Sequence, residues 1–263
     1  PETMKPLVNN QAFARALDIY KETTKYAPPE ELSLGLEGSR TLFLSGRCAL
    51  TFDWGDIGTL AIDPAISKIP DKVGASILPG SKEVLERQTG KLVACDKFTC
   101  PYAIDGVNHA PYAAVGGWVG GINAAAKPEV KDAAYGLISY ISQPTQSNVD
   151  VTIGITGFNP YRISHFTNRQ AWLEAGMGEE AVTKYLGGIS VSLKNPNMVL
   201  DLRIPENARY QREILDTALT NFLTGKMTRD ETMEQIERGW EKRTNEEGRD
   251  SQLQDYRDSL GIQ

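Results

Sequence analysis

Three aromatic side chains in glycine-containing segments are the residues of this sequence best suited to bind a small molecule. Trp54 lies in FDWGD, Trp118 in GGWVGG and Phe158 in TGFNPYR. A flat aromatic ring can cover the apolar face of a sugar or of another small ligand. The alternative for each tryptophan is that it anchors the hydrophobic core. Three such segments in one chain favour a binding cleft.

Polar side chains close to these aromatics could hydrogen-bond to the hydroxyls of a ligand or pair with its charge. Asp56 follows Trp54 closely, and Asn159 and Arg162 follow Phe158. The alternative for Asp56 and Arg162 is a surface salt bridge or a loop cap. We predict that the three aromatics and these three polar residues contact a ligand.

The sequence lacks the motifs that identify common enzyme classes. It contains no G-x-x-x-x-G-K-S/T loop, no G-x-S-x-G elbow and no H-E-x-x-H zinc motif. Its VGGWVGG stretch lacks the G-x-G-x-x-G spacing of a dinucleotide site. The two histidines, His109 and His165, have no metal-ligand spacing, and no carboxylates form a recognisable acid and base pair. We therefore predict a binding protein without catalytic residues, cofactor or metal ion.

The three cysteines suggest one local disulfide. Cys48 lies in the strand-like segment RCALTF and is expected to be a small buried hydrophobic residue. Cys95 and Cys100 bracket CDKFTC in a polar stretch, which is typical of a disulfide that pins a loop and would imply an oxidising compartment. The alternative is two unrelated thiols. A zinc site is disfavoured because a second pair of ligands is missing.

Composition and charge narrow the class of partner. Of the 263 residues, 40% are hydrophobic and 24% charged, which suffices for one large domain or two lobes. A net charge of −6 argues against nucleic-acid binding, which requires clustered lysines and arginines. No apolar run approaches the ~18 residues of a membrane span. The opening PETMKPLVNN does not resemble a signal peptide, although a trimmed chain would lack one too.

Most of the elements that must position these residues are predicted to be helices. Helical spacing of apolar residues, together with helix-end signals, marks 10–26, 37–44, the segment from Pro128 to Pro144, parts of 168–187, 206–224, and the segment that opens with the capping box Thr228 and Glu231. The segment after Pro128 carries a wide apolar stripe that includes Val130, Leu137 and Ile141.

Three short segments are predicted to be strands. They are CALTF from Cys48, VGASILPG from Val73 and AAVGGWVGGIN from Ala113. Between the last two, 81–111 forms a long excursion with a turn at Thr89 and Gly90 and with the cysteine pair. Strands separated by helices predict an α/β fold, although the strands are few and short for a chain of this length.

The order of these segments resembles that in a known protein family. The chain contains, in sequence, FLSGRCALTFDWGD, VGASILPG, GGWVGGINAAAKPEVKDAAY, SQPTQSNVDV, GFNPYR and the closing pair ILDTALTNFLTGKMTRDETMEQIERGW. In order and spacing it resembles the second half of the family-1 extracellular solute-binding proteins. These are the sugar-type receptors of ABC importers and include maltose-binding protein. The resemblance covers nearly the whole chain, and the 81–111 excursion is longer than the family core requires.

The resemblance implies a type II periplasmic-binding-protein-like α/β fold with two lobes, incomplete here because the N-terminal half is absent. By its motifs, 1–72 would be the first part of the C-terminal lobe. The returning part of the N-terminal lobe would be 73–165, with an insertion at 81–111, and 166–263 would supply the closing helices of the C-terminal lobe. An incomplete sheet leaves an open edge, which favours pairing with another polypeptide.

The function that the resemblance implies is the binding of a sugar or a related polar molecule for delivery to an ABC importer. Trp54 and Trp118 would stack on the ligand, Asp56, Asn159 and Arg162 would hydrogen-bond to it, and hinge closure of two lobes would enclose it. The partners would be the importer's membrane subunits and a covalent or non-covalent N-terminal half, in a periplasmic or extracellular location. The alternative is a ligand-sensing ectodomain or a protein-interaction subunit of a larger assembly.

Overall fold

A computed structural model describes residues 2–70, 72–114 and 117–262, and the chain divides into two compact units. Unit 1 consists of Pro1–Ser33, Gly80–Asn108 and Leu200–Gln263. Unit 2 consists of Leu34–Pro79 and His109–Val199. Each unit is therefore built from segments that lie far apart in the sequence. The lobe boundaries predicted near residues 72 and 165 refer to a complete two-lobed binding protein, and they stay a prediction.

Helices provide most of the regular structure in the described residues. The helices are α1 (Gln11–Thr23), α2 (Leu36–Leu44), α3 (Ile57–Ala61), α4 (Pro128–Ile141), α5 (Pro144–Asp150), α6 (Ile163–Thr167), α7 (Arg169–Glu174), α8 (Glu179–Leu193), α9 (Asp216–Leu223), α10 (Arg229–Glu247) and α11 (Arg249–Ser259). The strands are β1 (Glu83–Glu86), β2 (Lys91–Ala94), β3 (Tyr112–Ala113) and β4 (Val199–Leu200), and a π-helix (Arg209–Leu215) precedes α9. Within the described ranges, no helix combines the length and the apolar character needed to cross a membrane.

Unit 1 packs α1, α9 and α10 around two apolar clusters that share Phe13. Because residues three or four apart lie on the same face of a helix, each of these helices presents an apolar stripe inward. The buried members are Val8, Leu17, Ala218, Phe222, Met233 and Ile236. Their burial confirms the predicted helices at both ends of the chain.

The starts of α1 and α10 are fixed by side-chain caps. The side chain of Asn10 accepts hydrogen bonds from the backbone N–H groups of Ala12 and Phe13 at 2.9 and 3.0 Å. Thr228 and Glu231 form the predicted capping box, in which each side chain bonds to the backbone N–H of the other. These caps satisfy N–H groups that the first turn of a helix leaves without partners.

The predicted excursion 81–111 contains a β-hairpin followed by a disulfide-bonded loop, both in unit 1. Strands β1 and β2 pair antiparallel, with Glu83 opposite Ala94, and Gly90 takes a left-handed conformation in the connecting turn. The predicted disulfide is confirmed, since Cys95 and Cys100 are bonded just after β2. Cys48 is a free thiol and is only half-buried, so the expectation that it is a buried hydrophobic residue is wrong.

Unit 2 has its principal core beneath α7 and α8. Trp172, Val182, Tyr185 and Leu186 are buried there, and the rings of Trp172 and Tyr185 meet edge to face with centroids 5.2 Å apart. A smaller cluster joins α2 to α3 through Phe43, Leu44 and Ala61. These two cores hold the chain on either side of residues 53–56, where the predicted site residues begin.

The three predicted strands do not form as predicted. The chain has no strand at 48–52 or 73–80, and in the third segment only the start lies in a strand, as β3 paired with β4. Val115 and Gly116 of that segment lie outside the described residues. A strand requires a neighbour that bonds to its backbone N–H and C=O groups. The described part of the chain supplies none for these segments.

Helix α4 forms where the sequence predicts it, with Pro128 in its first turn, but its apolar stripe is exposed. No residue of α4 is buried. Val130 is 52% exposed, Leu137 62% and Ile141 37%. A Cβ built at Gly120 would lie 3.3 Å from the Cδ1 atom of Ile138, so the preceding chain crosses this helix closely at that point.

Candidate functional site

The candidate site of unit 2 lies at residues 53–56, between two aspartates that share one arginine. Arg40 projects from α2 and donates from Nη2 to Oδ1 of Asp53 at 2.6 Å and from Nε to Oδ2 at 3.0 Å. Its Nη1 lies 2.9 Å from Oδ2 of Asp56. The three side chains are 10%, 2% and 4% exposed, so the cluster is buried. One guanidinium against two carboxylates leaves it with a net negative charge.

The electrostatics of the cluster favour a charged arginine. Burial by itself would lower the pKa of Arg40, but hydrogen bonds with Asp53 and Asp56 outweigh burial and raise that pKa above its usual value. A planar guanidinium suits this arrangement because it can donate to two carboxylates at once. The cluster therefore ties α2 to the residues on both sides of Trp54.

Trp54 lies between the two aspartates with part of its ring in solvent. It is 39% exposed, and the Cζ atom of Arg40 lies 5.9 Å from the centroid of its ring. Its backbone N–H donates to Oδ1 of Asp53 at 2.6 Å. This backbone anchor and the cation near the ring leave apolar ring surface free for another flat group.

Gly55 lets Asn159 lie directly against the backbone next to Trp54. A Cβ at position 55 would lie 2.5 Å from Oδ1 of Asn159 and 2.8 Å from Cδ1 of Ile189. Among the described residues, this buried Oδ1 has no hydrogen-bond partner. A buried acceptor without a partner is unusual and suits the hydroxyl of a ligand or a water molecule.

Tyr185 brings a second polar atom without a partner close to the same turn. Its ring packs on Gly58, where a Cβ would lie 2.4 Å from Cδ2 of Tyr185. Its hydroxyl is buried and has no partner within the described ranges. Burial raises the pKa of Tyr185, and the charge of Asp56 raises it further, so this hydroxyl stays protonated and can donate.

Phe158 and Arg162 lie on the other side of Asn159 and have different surroundings. Phe158 is half-buried against the core beneath α7 and α8. Arg162 donates from Nη2 to the carbonyl oxygen of Ser142, and its guanidinium lies 5.4 Å from the ring of Tyr161. Its buried Nε has no partner among the described residues. Arg162 therefore keeps one unused donor.

Trp118 is separate from the other predicted site residues in this structure. It is 81% exposed and precedes Val119, which is 95% exposed. Where the structure describes the chain, no hydrogen bond, ion pair or ring contact joins Trp118 to another residue. The structure thus brings Trp54, Asp56 and Asn159 together around Gly55. It leaves the role of Trp118 a prediction.

Both histidines form hydrogen bonds within unit 2. His165 is fully buried, accepts at Nδ1 from the backbone N–H of Tyr161 and places Nε2 3.1 Å from Oγ of Ser147. Burial lowers its pKa, and the positive charge of Arg162 lowers it further, so His165 is neutral at neutral pH. In His109, Nδ1 lies 2.7 Å from the carbonyl oxygen of Leu78. In the described part of the chain, no group of three or more histidine, cysteine, aspartate or glutamate side chains is placed to hold a metal ion.

Three residues of the site, Arg40, Asp53 and Tyr185, were missed from the sequence. Arg40 carries a signal, because it lies in α2 on the turn before Phe43 and Leu44 and so falls on the buried face of the helix. A buried arginine requires acidic partners, and FDWGD contains two aspartates. Tyr185 carries no such signal, since its position relative to Gly58 depends on the packing of α8.

Part of the chain is similar in sequence to a known protein. No protein-family model matches the chain. Over 87 residues it is 33% identical to the mannitol-binding protein of Pseudomonas aeruginosa, a match that spans 33% of this chain and 20% of the relative.

Two solved structures share the fold over most of the chain. One is an ABC transporter solute-binding protein from Agrobacterium radiobacter K84 in complex with ribitol, at 22% identity and a TM-score of 0.62 over 90% of this chain and 51% of that one. The other is maltose-bound MalE3 of T. maritima, at 20% identity and a TM-score of 0.67 over 92% and 52%. The α/β solute-binding-protein fold is therefore confirmed, and the chain spans about half the length of these structures. All three similar proteins are named for binding a solute.

Proposed function

We propose that this chain is part of a solute-binding protein of an ABC importer and that unit 2 forms one wall of its site for a sugar or sugar alcohol. The observation that carries the proposal is Trp54. Its side chain is partly exposed, and the backbone of the next residue, Gly55, lies against the unpartnered Oδ1 of Asn159. A ring of this kind stacks on the C–H face of a polyol, and the amide oxygen accepts a hydrogen bond from a hydroxyl.

The other predicted contacts complete this wall in our proposal. Trp118 offers a second exposed ring for stacking, and Phe158 supports Asn159 from the core side. Arg162 donates from its free Nε. Asp56 is buried and paired with Arg40. It therefore serves the ligand indirectly, through the ion-pair cluster that it forms with Arg40 and Asp53.

The opposite wall belongs, in our proposal, to a polypeptide that supplies the rest of the fold. The similar structures are about twice as long as this chain. The exposed stripe of α4 and the residues around Trp118 are apolar surfaces of the kind that a second folding unit covers. The importer's membrane subunits are the further partners. The disulfide between Cys95 and Cys100 supports a location outside the cytoplasm.

Titration calorimetry with mannitol, ribitol and maltose tests the proposal. Each ligand is added to this chain alone and to the chain combined with the polypeptide that contains the other half. We expect saturable binding of at least one ligand by the combined protein, and a loss of about tenfold in affinity in Trp54→Ala through the lost aromatic contact.

Trp240→Phe is the matched control, because Trp240 belongs to unit 1 and its indole N–H donates to the carbonyl oxygen of Tyr210. It should leave the affinity unchanged. Absence of binding by the combined protein to all three ligands and to a wider panel of sugars and polyols would contradict the proposal. Equal binding by Trp54→Ala and the unaltered chain would remove Trp54 from the site.

A further inference from the structure

We propose that Arg40 is a positioning residue that sets the orientation of Trp54 for ligand stacking. The role in stacking rests on the proposed function, whereas the effect on Trp54 itself does not. Arg40 reaches Trp54 by two routes, one through Asp53 and one through the face of the indole ring. Neither route requires Arg40 to touch the ligand.

The first route fixes the backbone of Trp54. Oδ1 of Asp53 accepts from Nη2 of Arg40 and from the backbone N–H of Trp54, both at 2.6 Å. Oδ2 of the same carboxylate accepts from Nε of Arg40 at 3.0 Å. The carboxylate is therefore held by the guanidinium on two sides while it holds the tryptophan backbone. A change in the direction of the guanidinium moves the carboxylate and, with it, the peptide unit of Trp54.

The second route acts on the ring. The Cζ atom of Arg40 lies 5.9 Å from the centroid of Trp54, within the range in which a cation and an aromatic face attract each other. The bonds from Nη1 and Nη2 to Asp56 prevent the guanidinium from turning away. The ring is held on the side of Arg40, and 39% of Trp54 remains exposed to a ligand.

Arg40→Lys tests the positioning role with the charge conserved. A lysine keeps the cation but cannot donate in a planar fork to two carboxylates. With fluorotryptophan incorporated, the four tryptophans give separate fluorine NMR signals, and Trp54→Phe identifies the signal of Trp54. We expect the Trp54 signal to shift in Arg40→Lys and mannitol affinity to fall about threefold to tenfold, because lysine loses one or more hydrogen bonds that fix the Asp53 carboxylate against the backbone of Trp54.

Arg169→Lys is the matched control in the same unit. Arg169 donates to Oε2 of Glu179 at 2.7 Å, and its side chain is 42% exposed. Arg169→Lys should leave both the Trp54 signal and the affinity for mannitol unchanged. Both Arg40 and Arg169 lose a guanidinium in these variants, so a shift seen only in Arg40→Lys is specific to the cluster around Trp54.

The triple variant Arg40→Gln with Asp53→Asn and Asp56→Asn guards against a simple loss of folding. Removal of Arg40 alone leaves two buried carboxylates without a cation, which is strongly destabilising. The triple variant leaves no charged side chain of the cluster buried without a partner, and circular dichroism verifies that it folds. We expect the Trp54 signal to shift here as well.

Three results would overturn the proposal. A Trp54 signal that does not move in either folded variant rejects the positioning role, as does unchanged mannitol affinity in a protein that binds mannitol. Loss of folding in both variants assigns Arg40 to the stability of unit 2 as a whole. If the unaltered protein binds no ligand, the proposed function fails, and the Trp54 signal still decides the role of Arg40.

Discussion

Units 1 and 2 of this chain bury their apolar side chains to different degrees. In unit 1, α9 and α10 place Phe222, Met233 and Ile236 in the core. In unit 2, α7 and α8 do the same, but α4 buries none of its residues. The exposed tryptophans Trp54 and Trp118 also belong to unit 2. The surfaces that lack a cover and the candidate ligand contacts are thus on the same unit.

This difference supports our proposal that another polypeptide covers part of unit 2. A helix normally buries its apolar stripe, because burial is the main favourable contribution to folding. Unit 1 satisfies this rule with its own residues. Unit 2 satisfies it beneath α7 and α8 and between α2 and α3, but not along α4. In our proposal, another polypeptide covers the stripe of α4 and the residues near Trp118. The following substitutions test this contrast, beginning with the largest expected effect.

Trp172→Ala should destabilise unit 2 most. Trp172 is 1% exposed, and its indole N–H donates to the carbonyl oxygen of His165 at 2.8 Å. Removal of a buried aromatic side chain leaves a cavity and costs about 3–5 kcal/mol of unfolding free energy. Urea unfolding measures the change. A loss below about 1 kcal/mol would show that the core of unit 2 is looser than its burial indicates.

Replacement of both Cys95 and Cys100 by serine should destabilise unit 1 less. The bond closes a short loop, and the entropy gained by the unfolded chain corresponds to about 2 kcal/mol. Thermal unfolding of the double variant measures the loss. Cys48→Ser is the control, since Cys48 is a free thiol in unit 2, and it should have little effect. Equal stability of the two variants would mean that the disulfide does not support the hairpin.

Thr228→Ala should cost unit 1 about 1 kcal/mol. Thr228 caps α10, and its hydroxyl accepts from the backbone N–H of Glu231. Chemical unfolding gives the size of the effect. Thr228→Ser keeps the hydroxyl and should retain most of the stability. If Thr228→Ala and Thr228→Ser were equally stable, the packing of Met233 and Ile236 would fix the helix start without the cap.

Leu137→Ser in α4 should change the stability of this chain by no more than about 0.5 kcal/mol, because an exposed side chain loses little on substitution. The same change should weaken association with the polypeptide that supplies the other half, where the stripe becomes buried. Calorimetry measures how tightly the unaltered chain and Leu137→Ser each bind that polypeptide. A large loss of stability in the isolated chain, or unaltered association, would contradict an uncovered stripe.

The sequence predicted local features of the fold better than features that depend on distant residues. The helix predicted from residue 10, the capping box at Thr228 and the disulfide depend on residues close together in the chain, and all are present. The strand predictions at 48–52 and 73–80 were wrong because strands form only with partners. Composition and alternation do not show whether the chain contains those partners.

Only part of the candidate site was predicted, because the rest depends on contacts between residues that are distant in the sequence. Trp54, Asp56 and Asn159 could be selected because aromatic and polar residues occur in glycine-containing segments. The structure adds that Asp56 is paired with Arg40, a contact between residues in different elements. It also adds Tyr185, whose closeness to Gly58 depends on how α8 packs. Sequence patterns give residue types, whereas burial and ion pairing follow from the tertiary fold.

The contact between Gly55 and Asn159 has a consequence for the evolution of this site. Any side chain at position 55 would collide with Oδ1 of Asn159 and with Ile189. The two positions should therefore covary among homologous sequences. A residue larger than glycine at 55 should occur together with a smaller residue at 159. Homologues that keep glycine at 55 and asparagine at 159 should also keep an aromatic residue at 54. Homologues in which these three positions differ should bind a different ligand.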